Sequence, residues 1–187
     1  KSGNKVQIGS VILLESKKNL AAPAIIKSLS LSQKKHSLLC FQAINPSLIS
    51  GKMHLQQGIN ETLNAFENKS NYSDNFNLEL LVRLNANRRI NNSIQAFGLK
   101  ENSTNICLIA ISDKKQNCAD AINEFKKQFD LTELNEKNKI CKSFLEKNSK
   151  ENFKLIQNNF FVNENELKNN SLESLVCEKI ALLELRD

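Results

Sequence analysis

Two rhythms run along the chain: short runs rich in β-branched residues, and longer stretches where apolar residues recur every third or fourth position. The first rhythm predicts strands at Val6 to Ser16 (bulged or bent at Gly9), His36 to Ile44 and, most clearly, Thr104 to Ser112. A fourth short strand is expected at Leu131 to Leu134. The second rhythm predicts a helix over Lys52 to Lys69 with Met53, Ile59, Leu63 and Phe66 on its apolar face, and one over about Gln116 to Phe129. The segment Asn19 to Ser32 reads as a helix interrupted by Pro23, and Asn45-Pro46 as the start of a short helix ending by Gly51.

Two helices close on each other in ELLVRLNANRRINNSIQAFGLK, Glu79 to Lys100. Leu78, Leu81 and Val82 stripe the first, with Glu79 and Arg83 as an i,i+4 pair. Ile90, Ile94 and Phe97 stripe the second, and Gly98 is placed to stop it in a left-handed conformation. Charged helices are expected over Lys137 to Glu146 and Lys150 to Phe160, and a last one capped by Ser171. Without repeats or low-complexity linkers, 187 residues imply one compact α/β domain spanning 1–187. Its small, mainly antiparallel sheet should have about 3–5 strands packed by several helices.

Composition changes little in that picture. Forty per cent hydrophobic and 25% charged residues suit a folded chain, and the formal charge of +6 permits an acidic partner such as RNA without requiring one. Cys40, Cys107, Cys118, Cys141 and Cys177 are odd in number and form no C-x-x-C; with His36 and His54 they complete no metal-ligand pattern. Cys40 and Cys107 read as small buried hydrophobes in a reducing compartment. No signal peptide and no apolar run of membrane-spanning length is evident, so a cytoplasmic location is expected.

Recognisable catalytic and phosphate-cradling motifs are missing: there is no Walker loop, dinucleotide fingerprint, zincin pair or nucleophile elbow. With no Trp and one Tyr, Tyr72, an aromatic platform for stacked bases is not evident either. The pattern favours a binding protein that needs no cofactor over an enzyme.

Arg88 and Arg89 start the second helix of the close pair. Cations there oppose the macrodipole by about 0.3–1 kcal/mol each unless an anion sits nearby. Free amides and two guanidinium forks would seat a phosphate; alternatively, both arginines fan into solvent or pair with acids.

Three blocks carry a resemblance: FQAINPSLISGKMHLQQGINETLNAF, NLELLVRLNANRRINNSIQAFGLKENSTNICLIAI and LESLVCEKIALLELRD. They resemble archaeal members of the PRPK-binding protein (TPRKB) family, a small subunit of the KEOPS complex, which installs threonylcarbamoyl on tRNA adenosine. The resemblance implies a non-catalytic, cytoplasmic subunit that binds a small atypical kinase acting as an ATPase and captures tRNA by its 3′-CCA end.

Carried onto this chain, the resemblance implies RNA contacts from Arg83, Asn85, Arg88, Arg89 and Ile90, with Lys52 and His54 as further candidates. Arg89 stands where a Gln is expected, and Leu84-Asn85-Ala86 replaces a smaller linker. Ile90 is either an apolar floor for a base or plain core. In the last helix Leu172, Leu175, Val176, Ile180 and Leu183 fill one face, leaving Ala181, Leu182 and Leu185 as surplus apolar surface. Leu182 and Leu185 are assigned to the kinase interface. The rival readings are a kinase-regulating interaction subunit with no specific tRNA binding, and a cysteine-dependent enzyme.

Overall fold

The computed structural model describes residues 8–101, 103–134 and 149–185, and these fall into two compact units. The first comprises residues 8–45 and 99–134, the second residues 46–98 and 149–185. The fold is α/β, with a four-stranded antiparallel sheet, as the sequence predicts.

In the first unit the sheet order is β2-β3-β1-β4, with β1 at Ile8–Leu20, β2 at Cys40–Ile44, β3 at Ser103–Ser112 and β4 at Leu131–Glu133. The apolar run of β3 puts it at the centre, where Ile106 to Ile111 are all fully buried. Helix α1 (Ala22–Lys35) buries Ile25, Ser28, Leu29 and Ser32, which the helical repeat lays on one stripe. Ile25 and Leu29 join Leu14, Phe41, Leu108 and Phe125 in one core, the last from the helix at Lys115–Phe129.

Three expectations shift here. Pro23 does not interrupt α1 but lies in its first turn, where the missing N–H costs nothing. The residues from His36 to Leu39 end that helix and lead into a strand that starts only at Cys40. Gly9 pairs regularly with Ile111; the register shift of β1 falls between Glu15 and Leu20.

The second unit is helical. A 3-10 turn at Pro46–Leu48 leads to α2 (Lys52–Asn68), α3 (Phe76–Leu84) and α4 (Ile90–Phe97). In chain order the first unit's Lys115–Phe129 helix is α5; α6 (Ser149–Asn159), α7 (Glu164–Leu167) and α8 (Leu172–Ala181) follow, and a 3-10 turn at Leu182–Leu185 ends the described chain. The expected helix over Lys137 to Glu146 lies outside the described residues. The short α7 was not anticipated; Asn163 and Glu166 close it with a reciprocal capping box.

The buried face of α2 is not the apolar stripe read from the sequence. His54, Leu55, Gly58, Thr62 and Ala65 are buried, whereas Met53 is exposed. Close approach is the reason: a Cβ on Gly58 would lie 2.5 Å from Leu84 Cδ2, so the small residues of α2 face α3. Likewise α4 buries Ser93 and Phe97 while Ile94 is exposed.

The short helix that starts at Pro46 does stop before Gly51, and Gly98 does end α4, but in an extended rather than a left-handed conformation. The left-handed positions fall on Ser37, Lys69, Ala86, Asp130 and Phe161.

Candidate functional site

The junction of α3 and α4 is built around a buried ion pair. One helical turn separates Glu79 from Arg83, and Arg83 Nε donates to Glu79 Oε1 at 2.7 Å with neither side chain exposed. The second carboxylate oxygen accepts the backbone N–H groups of Tyr72 and Ser73, at 2.8 and 3.0 Å. Arg83 also donates from Nη2 to the Ser70 carbonyl (3.2 Å) and from Nη1 to Glu184 Oε1 (2.9 Å). Burial works to lower the guanidinium's pKa, but the bonds to Glu79 and Glu184 more than offset this, and it stands above the ordinary arginine value.

Helix α3 ends in a Schellman motif. The N–H of Ala86 reaches the Arg83 carbonyl at 3.0 Å and that of Asn87 the Val82 carbonyl at 3.3 Å, with Ala86 left-handed at φ 46°. His54 supplies a further cap from α2: its Nε2 lies 2.9 Å from the Leu84 carbonyl. Its Nδ1 accepts the Ser50 N–H at 3.1 Å, which fixes the neutral tautomer with the proton on Nε2. The edges of Phe97 and Phe160 complete the site, and burial lowers the imidazole pKa to about 4. His54 is therefore buried, and not open to the RNA contact expected of it.

Asn85 is also buried. Its amide donates to Ser93 Oγ at 3.3 Å and its carbonyl oxygen accepts from Asn159 Nδ2 at 2.9 Å. Arg83 and Asn85 thus face inward, behind the junction.

Arg88 and Arg89 face outward. Arg88 Nη2 donates to the carbonyls of Leu183 and Glu184, at 3.1 and 3.2 Å. The cation at the start of one helix is held by the carbonyl end of another, which balances the macrodipole penalty. Both Arg83 and Arg88 lie within cation–π range of the Tyr72 ring, at 5.0 and 5.5 Å from its centroid. Arg89 is the N-cap of α4, and its guanidinium meets no partner among the described residues. Ile90 is half-buried beside it.

Lys52 is exposed at the first position of α2. Among the described residues no hydrogen bond or ion pair joins it to the arginines. Next to it the Met53 N–H donates to Glu173 Oε1 at 2.6 Å, and a Cβ on Gly51 would push that flexible carboxylate aside.

Leu172, Leu175, Val176, Ile180 and Leu183 are buried as one face, as their spacing predicts. The α-helix stops at Ala181, and the tighter winding of Leu182–Leu185 brings residues three apart onto one side. Leu182 is 38% and Leu185 76% exposed.

Sequence reasoning missed Tyr72, Ser70 and Glu184 as parts of this junction. Arg83 and Glu184 are 101 positions apart, a separation that leaves no local pattern. Tyr72, the one tyrosine, offered a signal only in its rarity.

Among the described residues no helix is long and apolar enough to cross a membrane. The family model for "Kinase binding protein CGI-121" matches residues 18–184. No curated protein matches the chain significantly.

Proposed function

The chain belongs to the CGI-121 family of kinase-binding proteins, and from that premise we propose that it is a non-catalytic subunit of an archaeal-type KEOPS complex. In this reading it binds the small atypical kinase and captures tRNA by its 3′-CCA end. Holding that end raises the effective concentration of the distant anticodon loop at the catalytic subunit for threonylcarbamoyladenosine formation. The chain supplies no cofactor chemistry and works in the cytoplasm.

The observation that carries the RNA half is the outward pair at the head of α4. Arg89 has its fork free among the described residues, Arg88 stands beside it, and the first amides of α4 lack helical acceptors. Ile90 adds a half-buried apolar surface for a base, and Lys52 a third cation. Arg83 and Asn85 act from behind, by fixing the linker that aims the pair. Leu182 and Leu185, side by side on the terminal turn, suit the kinase contact.

Charge reversal tests the reading. Arg89→Glu, at a guanidinium that holds nothing among the described residues, should sharply weaken tRNA binding while leaving the kinase contact intact. Unchanged tRNA binding would sink the RNA half.

One observation favours the alternative, a kinase-regulating subunit without specific tRNA binding: Arg88 already has partners within the chain.

A further inference from the structure

The last described turn, Leu182–Leu185, occupies donors that an incoming phosphate would need. Arg88 bonds the main-chain carbonyls of Leu183 and Glu184, and Arg83 bonds the Glu184 carboxylate. Ser70 Oγ donates to the same carboxylate oxygen at 2.9 Å. Ser70's hydroxyl first, then Arg83, hold the Glu184 carboxyl below its usual pKa, so it is charged at neutral pH. The turn therefore offers the arginines what an anionic ligand offers: one full negative charge and partly negative oxygens at a helix end.

Beyond those polar bonds, one buried side chain anchors the turn. Its winding gives poorer hydrogen bonds than an α-helix, and Leu183 is the one side chain of its four that is buried. Segments with few buried apolar contacts open at lower free energy than the fold around them.

We propose that the Leu182–Leu185 turn is an internal ligand of the arginine site at the α3–α4 junction, which a single-stranded RNA phosphate must displace from Arg88. The identity of the external ligand rests on the RNA-binding reading above; the competitor rests on the contacts just described. Two states follow, one with Arg88 bonded to the turn and one with Arg88 open to phosphate. Apparent RNA affinity is the intrinsic affinity scaled by the open fraction. By reciprocity, bound RNA loosens the turn, and a partner that grips Leu182 and Leu185 in the docked state opposes RNA.

The chain carries its own reporter. Tyr72 is its one tyrosine, there is no tryptophan, and the Arg88 guanidinium lies 5.5 Å from the ring centroid. The test titrates a short single-stranded RNA ending in CCA, and separately inorganic pyrophosphate, into the full chain while Tyr72 emission is followed. Ser70→Ala and Leu183→Ala loosen the turn without changing charge; Glu184→Gln loosens it and removes one negative charge. The proposal expects all three to bind both probes more tightly than wild type, Leu183→Ala by about tenfold if the open fraction rises from about a tenth to most of the population.

Tightening by Glu184→Gln alone would overturn the proposal, because removed charge would then account for it. Wild-type or weaker binding by both charge-neutral variants would overturn it too. If RNA binds no variant, the RNA reading fails and the pyrophosphate series still decides whether the turn competes. Ser70 is exposed, so Ser70→Ala carries the test should Leu183→Ala fail to fold.

Discussion

Glu79 and Arg83 meet at 2.7 Å with neither side chain exposed, and each is bonded to further partners. Such a pair is worth little over an apolar replacement, but losing Glu79 leaves the buried Arg83 with only Glu184 and the Ser70 carbonyl, at up to about 3–5 kcal/mol. Glu79→Ala is expected to destabilise the chain by that amount in chemical denaturation. The double variant Glu79→Leu with Arg83→Met should be markedly less damaged than the single one. A double loss as large as the sum of the two single losses would mean that the pair is not coupled.

His54 makes stability pH-dependent. Its folded pKa is about 4 against an ordinary 6.5, so between these values the unfolded chain binds the extra proton. The contribution is complete above about pH 6.5 and lost as pH falls through about 4, amounting to about 3 kcal/mol. Protonating Nδ1 would also set a new hydrogen against the Ser50 N–H. Urea midpoints measured from pH 7 to pH 4 should fall, and His54→Gln should flatten the slope while lowering the plateau.

Gly58→Ala sets two effects against each other. Alanine improves helix propensity by about 1 kcal/mol. Its Cβ would meet Leu84 Cδ2 at 2.5 Å and Cγ at 3.0 Å, and Leu84 is fully buried with little room to move. Overpacking at about 1–3 kcal/mol should win. A lower melting temperature is expected, whereas a higher one would show that α2 and α3 can separate freely.

Phe161 offers the reverse case. It is left-handed at φ 52° and 85% exposed, at the end of α6, where the Val162 N–H reaches the Gln157 carbonyl. A bulky residue there costs about 1–2 kcal/mol in backbone strain. Phe161→Gly, which loses almost no buried surface, should stabilise the chain by about 0.5–1 kcal/mol after glycine's own entropy. Calorimetry would read this as a raised melting temperature.

The parts of the fold that were legible in the sequence share a local cause. The central strand announced itself by an unbroken apolar run, and the face of α8 by spacing alone. The Ser171 cap and the end at Phe129 were legible, but the left-handed helix ends were not, because Ala86, Lys69 and Phe161 take conformations that the sequence reading reserved for glycine. Nor was the polar interior. Glu79 and Arg83 look like a surface i,i+4 pair until the chain brings the Tyr72 and Ser73 amides and Glu184 to satisfy them. Nothing in the sequence marks His54 as buried, because the Leu84 carbonyl that meets its Nε2 is 30 positions away. The outward pair Arg88-Arg89 was visible as sequence, but not that Arg88 is already engaged by the far end of the chain.

The most direct test of the account compares tRNA with and without its terminal CCA, binding to the purified chain at two salt concentrations. The account predicts that CCA removal abolishes binding, and that the intact complex weakens with salt at a logarithmic slope of about −1.4 for two phosphate contacts to a single strand. Equal binding of both tRNAs, or binding of neither, would contradict it and leave the kinase contact as the function of the chain.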